Sequence, residues 1–186
     1  MPDRYINYKY KGRPGYCPRN ENDLVVTNKD TGDSMTVENW FAEEGKETEK
    51  IDKILFADGT VWDAAMLKEL VLTGTGEADN LTGYSTNDIL DGKEQDDVLS
   101  GKAGDDTYVF GSGYGKDVIY EANDASAGFD TVLIKDVLPS EVELKANGYD
   151  LCILIKGTND RLEIKDWFLG ERNGVDRIVF ESDATT

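Results

Sequence analysis

Four aspartates, Asp79, Asp88, Asp97 and Asp106, stand nine residues apart, and Gly74, Gly83, Gly92 and Gly101 each lie five residues ahead of one of them. Carboxylates repeated at a fixed period are oxygen donors held in step, and the chemistry they suit is the binding of hard cations. Two positions after each aspartate comes an apolar or aromatic side chain, Leu81, Leu90, Leu99 or Tyr108. A period of nine matches neither a helix face nor a plain strand alternation. It calls for a unit built from a turn and a very short strand.

Composition points the same way. The chain of 186 residues holds 38 acidic against 20 basic residues, a formal charge of -18, which disfavours nucleic acid and anionic membranes as partners and favours cations. A merely solubilising or disordered acidic surface is the blander reading, but the excess is concentrated at the nonapeptides and aromatic residues are not depleted. There is no histidine, so the commonest metal ligand and the usual general base are both missing while oxygen ligands are plentiful. With so many acids, any glycosidase-like carboxylate pair is weak support for catalysis, and no nucleophile arrangement is recognisable. The chain is therefore expected not to be an enzyme; if the parent is one, its catalytic domain is expected upstream. No secretory signal or membrane span is visible, which fits a cytoplasmic protein or a fragment of a longer exported one equally well.

The elements that must position these residues lie on either side. Residues 1–22 suggest a short strand followed by turns. From Asp23 a strand, a polar turn through Asp30 to Ser34 and a second strand at Met35 to Val37 form a hairpin leading into Trp40 and Phe41. Another strand follows in IDKILFADGTVWD with its turn at Asp58 and Gly59, then a short helix over Ala64 to Glu69. Asp150 to Phe168 aligns with Asp23 to Phe41 without a gap, matching Trp40 to Trp167 and Phe41 to Phe168, and VDRIVF at Val175 to Phe180 then matches IDKILF at Ile51 to Phe56. Cys152 corresponds to Val25 and so reads as a core thiol. A disulfide with Cys17 is left open. Further strands are expected at Asp117 to Tyr120, at Thr131 to Ile134 and in EVELKANG, with a turn at Pro139 and a frayed end over 181–186.

Set against the consensus G-G-x-G-x-D-x-U-x, the four units are GTGEADNLT, GYSTNDILD, GKEQDDVLS and GKAGDDTYV, followed by GSGYGKD. The consensus is a recognised one for a calcium-binding parallel β-helix. The stretch closely resembles the RTX, or haemolysin-type calcium-binding, repeats, and the flanks resemble the domain often found beside them in large bacterial exported proteins. The resemblance implies an all-β chain: a parallel β-roll of glycine/aspartate nonapeptides flanked by two similar antiparallel strand regions. Each repeat would make a six-residue turn and a strand of about three residues, so that two repeats complete one coil and each apolar position stacks on the one two repeats away. Residues 1–72 would be an N-terminal β flank, the tail of a preceding unit; residues 73–138 the calcium-binding roll; and residues 139–186 a C-terminal flank or cap. A parent would then repeat this combination, with neighbouring modules as partners.

The resemblance also implies Ca2+ between turns of successive coils, pairing Asp79 with Asp97 and Asp88 with Asp106 in two sites. Asp117, and with less support Asp130, would add irregular ligands. Carbonyls of Gly74, Gly83, Gly92 and Gly101 would complete the shell, with glycine required by positive φ and by the close approach of backbone to ion. The second consensus glycine is replaced by Thr75, Tyr84, Lys93 and Lys102, the fourth survives only as Gly104, and the two lysines would oppose a cation unless they point away. An EF-hand in NKDTGDSMTVE fails, because its sixth position, where glycine is required, is Asp33. The implied protein is secreted or at the cell surface and folds on binding calcium. Its rivals are an adhesin or carbohydrate-binding spacer, with the Trp-Phe pairs as a glycan platform, and an accessory part of a secreted enzyme. Core or cap is the more ordinary role for such pairs.

Overall fold

The structure is a computed structural model that describes residues 5–8, 19–20, 23–28, 31–41, 51–121, 128–169 and 174–181. Expectations for Cys17, for the start of the turn at Asp30 and for the chain end over 182–186 fall outside these residues. The chain forms two compact units, Met1–Val71 and Leu72–Thr186.

The first unit holds β1 (Tyr5–Tyr8), β2 (Arg19–Asn20), β3 (Asp23–Thr27), β4 (Ser34–Val37), β5 (Lys53–Phe56), β6 (Val61–Asp63) and the helix α1 (Ala64–Val71). The β2-β3-β4 sheet is antiparallel, and its central strand buries Leu24 and Val26 completely, as the two-residue period of DLVVT requires. A second sheet, ordered β1-β5-β6, pairs β1 with β5 in parallel and β5 with β6 antiparallel. The turn between β5 and β6 is closed by the Phe56 N–H donating to the Thr60 carbonyl at 2.9 Å, with Gly59 in the left-handed region at φ 92°. Trp62 then packs edge-on against Phe56, ring centroids 4.7 Å apart. Asp63 caps α1 by accepting the Met66 N–H at 2.9 Å, and the helix turns Leu67 and Val71 inward, ending two residues beyond the expected Glu69. Trp40 and Phe41 are buried, with rings 4.8 Å apart, which removes this pair as a glycan platform.

The second unit begins with the nonapeptides. Its strands are β7 (Asn80–Thr82), β8 (Ile89–Asp91), β9 (Val98–Ser100), β10 (Thr107–Gly111), β11 (Lys116–Ile119), β12 (Thr131–Lys135), β13 (Val142–Asn147), β14 (Asp150–Ile155), β15 (Arg161–Ile164) and β16 (Arg177–Phe180). From β7 to β12 the chain alternates between two sheets, so two repeats make one coil of a roll. One sheet is ordered β13-β14-β15-β11-β9-β7, and the other β16-β12-β10-β8. The parallel register stacks Leu81 on Leu99, Leu99 on Ile119 and Ile119 on Ile164 in the first sheet. In the second it stacks Leu90 on Tyr108, Tyr108 on Val132 and Val132 on Ile178. All but Ile178 are buried, and each such aliphatic side chain contributes about 1.5–3 kcal/mol relative to exposure.

The C-terminal flank is only partly antiparallel. β13, β14 and β15 form the expected hairpins, but β15 also runs parallel to β11 and β16 parallel to β12. The inward residues Ile164 and Ile178 keep the phase of the roll, so the two strands extend its sheets. The hairpins at Asp23 and Asp150 also agree in detail. Asn39 donates its N–H to Asp23 Oδ1 at 2.7 Å, and Asp166 donates to Asp150 Oδ1 at 2.9 Å, with both donors left-handed at φ 55° and 56°. Cys152 is a buried free thiol, as its match to Val25 implies, so it takes part in no disulfide.

Candidate metal centre

The aspartates form two ladders. Asp97 Oδ1 accepts the Asp79 backbone N–H at 2.7 Å, and Asp117 Oδ1 accepts that of Asp97 at 3.0 Å. On the other edge Asp106 Oδ1 accepts from Asp88 at 2.8 Å, Asp130 Oδ1 from Asp106 at 2.9 Å, and Asp176 Oδ2 from Asp130 at 2.7 Å. Each carboxylate thus reads the backbone of the coil before it. The short strands put successive aspartates in register and the apolar stack holds the coils together. The structure brings Asp79 next to Asp97 and Asp88 next to Asp106, and it brings in Asp117 and Asp130 on equal terms.

The second carboxylate oxygens separate the turns into two kinds. Asp79 Oδ2 accepts the Thr75 N–H at 2.6 Å and its hydroxyl at 2.8 Å, and Asp88 Oδ2 accepts the Tyr84 N–H at 2.6 Å. In the next two turns the corresponding residues, Lys93 and Lys102, are left-handed at φ 74° and 78°, and Asp97 Oδ2 and Asp106 Oδ2 have no hydrogen-bond donor among the described residues. Asp117 Oδ2 has none either. All three residues are 1% exposed. A buried carboxylate oxygen without a donor is strongly destabilising unless a cation or proton meets it.

Their acidities record this. Burial is the main cause that raises Asp97 to about 6, Asp106 to about 7 and Asp117 to about 8; the backbone N–H that each accepts pulls downward, and neighbouring carboxylates push further up. Asp130 is raised for the same first reason. Among the described residues no three or more acidic or cysteine side chains converge on one point. Any cation here would draw most of its oxygens from the main chain.

The repeat glycines supply that access, by a different route from the one expected. Gly74, Gly83, Gly92 and Gly101 do not adopt positive φ. A Cβ on Gly74 would lie 2.9 Å from Asp79 Oδ2 and closer still to the Gly92 carbonyl oxygen, and one on Gly83 would lie 2.8 Å from Asp88 Oδ2 and 2.5 Å from the Gly101 oxygen. On Gly92 and Gly101 it would run into Asp97 and Asp106 themselves. Glycine is needed here so that the carboxylate and the carbonyl of the next coil can share one space. The left-handed positions are instead Lys93, Gln95, Lys102 and Gly104, the second and fourth of their turns, so two turns keep the shape without most of the glycine. Lys93 does not face the ladder oxygens, because its Nζ bonds Asp91 Oδ2 at 2.5 Å.

Several supporting residues were not evident from the nine-residue beat. Asp96 accepts the Lys116 N–H at 2.9 Å, and Asp105 both donates its N–H to Asn87 at 2.9 Å and accepts from Phe129 at 2.8 Å. Asp160 clamps the N–H groups of Gly113 and Gly115 at 2.9 and 3.0 Å. A shorter signature, G-x-D-x-U, would have found the later rungs at Gly115 to Ile119, Gly128 to Val132 and Gly174 to Ile178.

Comparison with known proteins meets this geometry at the same residues. Residues 73–108, and in an overlapping register 82–116, match the profile of the RTX calcium-binding nonapeptide repeat (4 copies). The chain carries RTX calcium-binding repeats. Residues 23–66 and 150–185 of this RTX chain both match the haemolysin-type calcium binding protein related domain, one match for each flank. The ion implied by these families is Ca2+, and the families are calcium-binding repeat domains. A curated relative, the iron-regulated protein FrpA of Neisseria meningitidis serogroup C, is 38% identical over 63 residues, 34% of this chain and 6% of FrpA. The extracellular lipase LipA of Serratia marcescens aligns at a TM-score of 0.40 and 15% identity over 96% of this chain and 32% of the lipase. The RTX chain thus spans a small part of either protein. Among its described residues no helix is long and apolar enough to cross a membrane.

Proposed function

We propose that this chain is a calcium-binding β-roll module of a larger exported bacterial protein, and that it folds and stiffens when calcium binds. The carrying observation is the set of three buried carboxylate oxygens, on Asp97, Asp106 and Asp117, for which the described residues supply no donor. Calcium takes six to eight hard oxygens and accepts carbonyls beside carboxylates, the mixture these turns offer. Asp97, Asp106 and Asp117 are the principal ligands, with Asp130 beside them and main-chain oxygens at Gly92 and Gly101. Asp79 and Asp88, with Gly74 and Gly83, form a first rung whose carboxylates are already capped by Thr75 and Tyr84 and which adds ligands more weakly. Residues 1–72, 73–138 and 139–186 serve as preceding flank, roll and closing flank. The bound ion neutralises carboxylates that otherwise repel one another and pay for burial, so its binding free energy is added to folding.

Export fits this reading: calcium at about millimolar concentration outside the cell would favour the fold, and the low calcium of the cytosol would leave it loose. The parent's activity lies elsewhere in its chain. A calorimetric calcium titration with far-UV circular dichroism in parallel tests the proposal. Heat uptake or release together with a growing β signal is the expected result; neither at millimolar calcium would sink it.

A further inference from the structure

On the edge that carries Asp88, Asp106 and Asp130, the third coil breaks the glycine rule of the two before it. Along β7, β9 and β11 the register sets Thr82 beside Ser100 and Leu99 beside Ile119, and the Tyr120 N–H extends it to the Leu99 carbonyl at 2.9 Å. Gly83, Gly101 and Glu121 therefore follow one another at the same place in successive coils. Glutamate stands where the repeats have glycine. Asp130 then follows Glu121 by nine positions, against five from Gly101 to Asp106.

The second coil shows what a side chain at this place would meet. A Cβ on Gly101 would lie 2.6 Å from the Tyr108 hydroxyl and would run into the Asp106 carboxylate. In the third coil the side chain is present, and both carboxylate oxygens of Glu121 are buried. The Tyr108 hydroxyl accepts the Gly101 N–H at 2.7 Å, which leaves its own proton for Glu121; burial, and after it the charge of Glu121, hold that hydroxyl above its ordinary pKa. Glu121 is also within hydrogen-bonding reach of Asp130, which is 2% exposed and whose Oδ1 holds the Asp106 N–H at 2.9 Å. Two carboxyl groups this close do not both stay ionised unless a cation lies between them. Next to them Asp106 Oδ2 is buried with no donor among the described residues, a second mark of a missing positive charge at the same turn.

We propose that Glu121 pairs with Asp130 to hold the calcium ion of this edge, as a ligand from outside the repeat pattern. The proposal rests on the calcium reading above and names a side chain for it. The pair needs no third carboxylate at one point, because the main chain supplies the remaining oxygens. On the other edge Phe110 holds the place that matches Glu121, one step beyond the pairing of Val109 with Asp91, and it is fully buried. Ligand charge tunes calcium affinity, so the two edges are unequal and the one with Glu121 binds more tightly.

Calcium calorimetry on the full chain compares the wild type with Glu121→Gln, Asp130→Asn and the double variant, each also melted in chelator. Glutamine keeps the size of the side chain and an acceptor for the Tyr108 proton while removing the charge. Glu121→Gln should weaken the tightest site about tenfold or more, leave the melting temperature in chelator unchanged or raised, and combine with Asp130→Asn to less than the sum of the two single effects. Wild-type affinity in Glu121→Gln overturns the proposal and leaves the calcium reading standing. So does full additivity with Asp130→Asn, which would place Glu121 away from that ion. A loss of affinity matched by an equal loss of stability in chelator would make Glu121 a structural support and equally overturn it. Absence of calcium heat in the wild type would overturn the reading on which the proposal rests, and the proposal with it.

Discussion

Asp117 Oδ1 holds the backbone N–H of Asp97 at 3.0 Å while its other oxygen is buried with no donor among the described residues. One carboxylate therefore does two things: it ties two coils together and leaves an electron-rich site inside the roll. Asp117→Asn keeps an acceptor for the amide and removes the charge. Calcium affinity should fall at least tenfold by calorimetry, while the melting temperature in chelator should stay the same or rise. Undiminished affinity would exclude Asp117 as a principal ligand.

The pH response of the calcium-free chain follows from the raised acidities of Asp97, Asp106 and Asp117, about 6, 7 and 8 against an ordinary 3.8. Between those values the folded state holds more protons than the unfolded state, so stability falls as pH rises. In chelator the urea midpoint should be highest near pH 4 and decline progressively to about pH 8. With calcium present, protons compete with the ion and affinity should weaken on acidification. A chelator-treated protein that gained stability between pH 5 and 8 would contradict the assignment.

Lys93 and Lys102 occupy left-handed backbone at φ 74° and 78°. Replacing either with glycine relieves strain of about 1 kcal/mol, and the double change should raise the calcium-loaded melting temperature. Tyr84 holds the same consensus position but has no positive φ and is 2% exposed. Tyr84→Gly should instead destabilise by about 3–5 kcal/mol through the lost ring. Equal effects at the two kinds of turn would refute the distinction.

Gly92→Ala places a methyl group against the Asp97 carboxylate. Overpacking of this kind costs about 1–3 kcal/mol, and calcium affinity should drop along with stability. Gly113, which also has positive φ but no atom within 4 Å of an added Cβ, provides a comparison. Gly113→Ala should lower stability by backbone strain alone and leave calorimetric affinity within about twofold, since nothing there touches the ladder.

Tyr108 fills the apolar position of the fourth repeat and is fully buried, yet its hydroxyl accepts the Gly101 N–H at 2.7 Å. Tyr108→Phe leaves that amide without its partner inside the roll. A loss of about 1–3 kcal/mol in chemical unfolding is expected, and no loss would mean that water replaces the hydroxyl.

Spacing alone gave a unit of a turn and a very short strand, and the resemblance of these units to RTX repeats supplied the roll with two repeats to a coil. The stacks of Leu81 on Leu99 and of Leu90 on Tyr108 follow the two-repeat coil that the resemblance implied. Its continuation was harder to see. Asp130 and Asp176 follow turns of irregular length, so the period fails, and only the three-residue signature G-x-D, present from Gly104 onward, marks these rungs. The reason for the repeat glycines was also hidden, since a close approach between coils is a tertiary fact and positive φ a local one. Nor could spacing say that Phe41 is buried and Phe168 exposed, because what covers an aromatic residue is decided by the strand beside it.

The aspartate ladders have a direction. Asp97, Asp106, Asp117, Asp130 and Asp176 each serve the amide of the rung that precedes them in the chain, so these coils supply a template for their N-terminal neighbours, and Asp176 provides the last acceptor of one edge from outside the nonapeptides. Order introduced at the C-terminal rungs can therefore pass backward through the chain, as a zip closes from its stop. Asp176→Ala should make the Asp130 amide exchange its hydrogen faster before the amides of Asp106 and Asp88 do, and loss of protection that began at Asp88 would reverse this polarity.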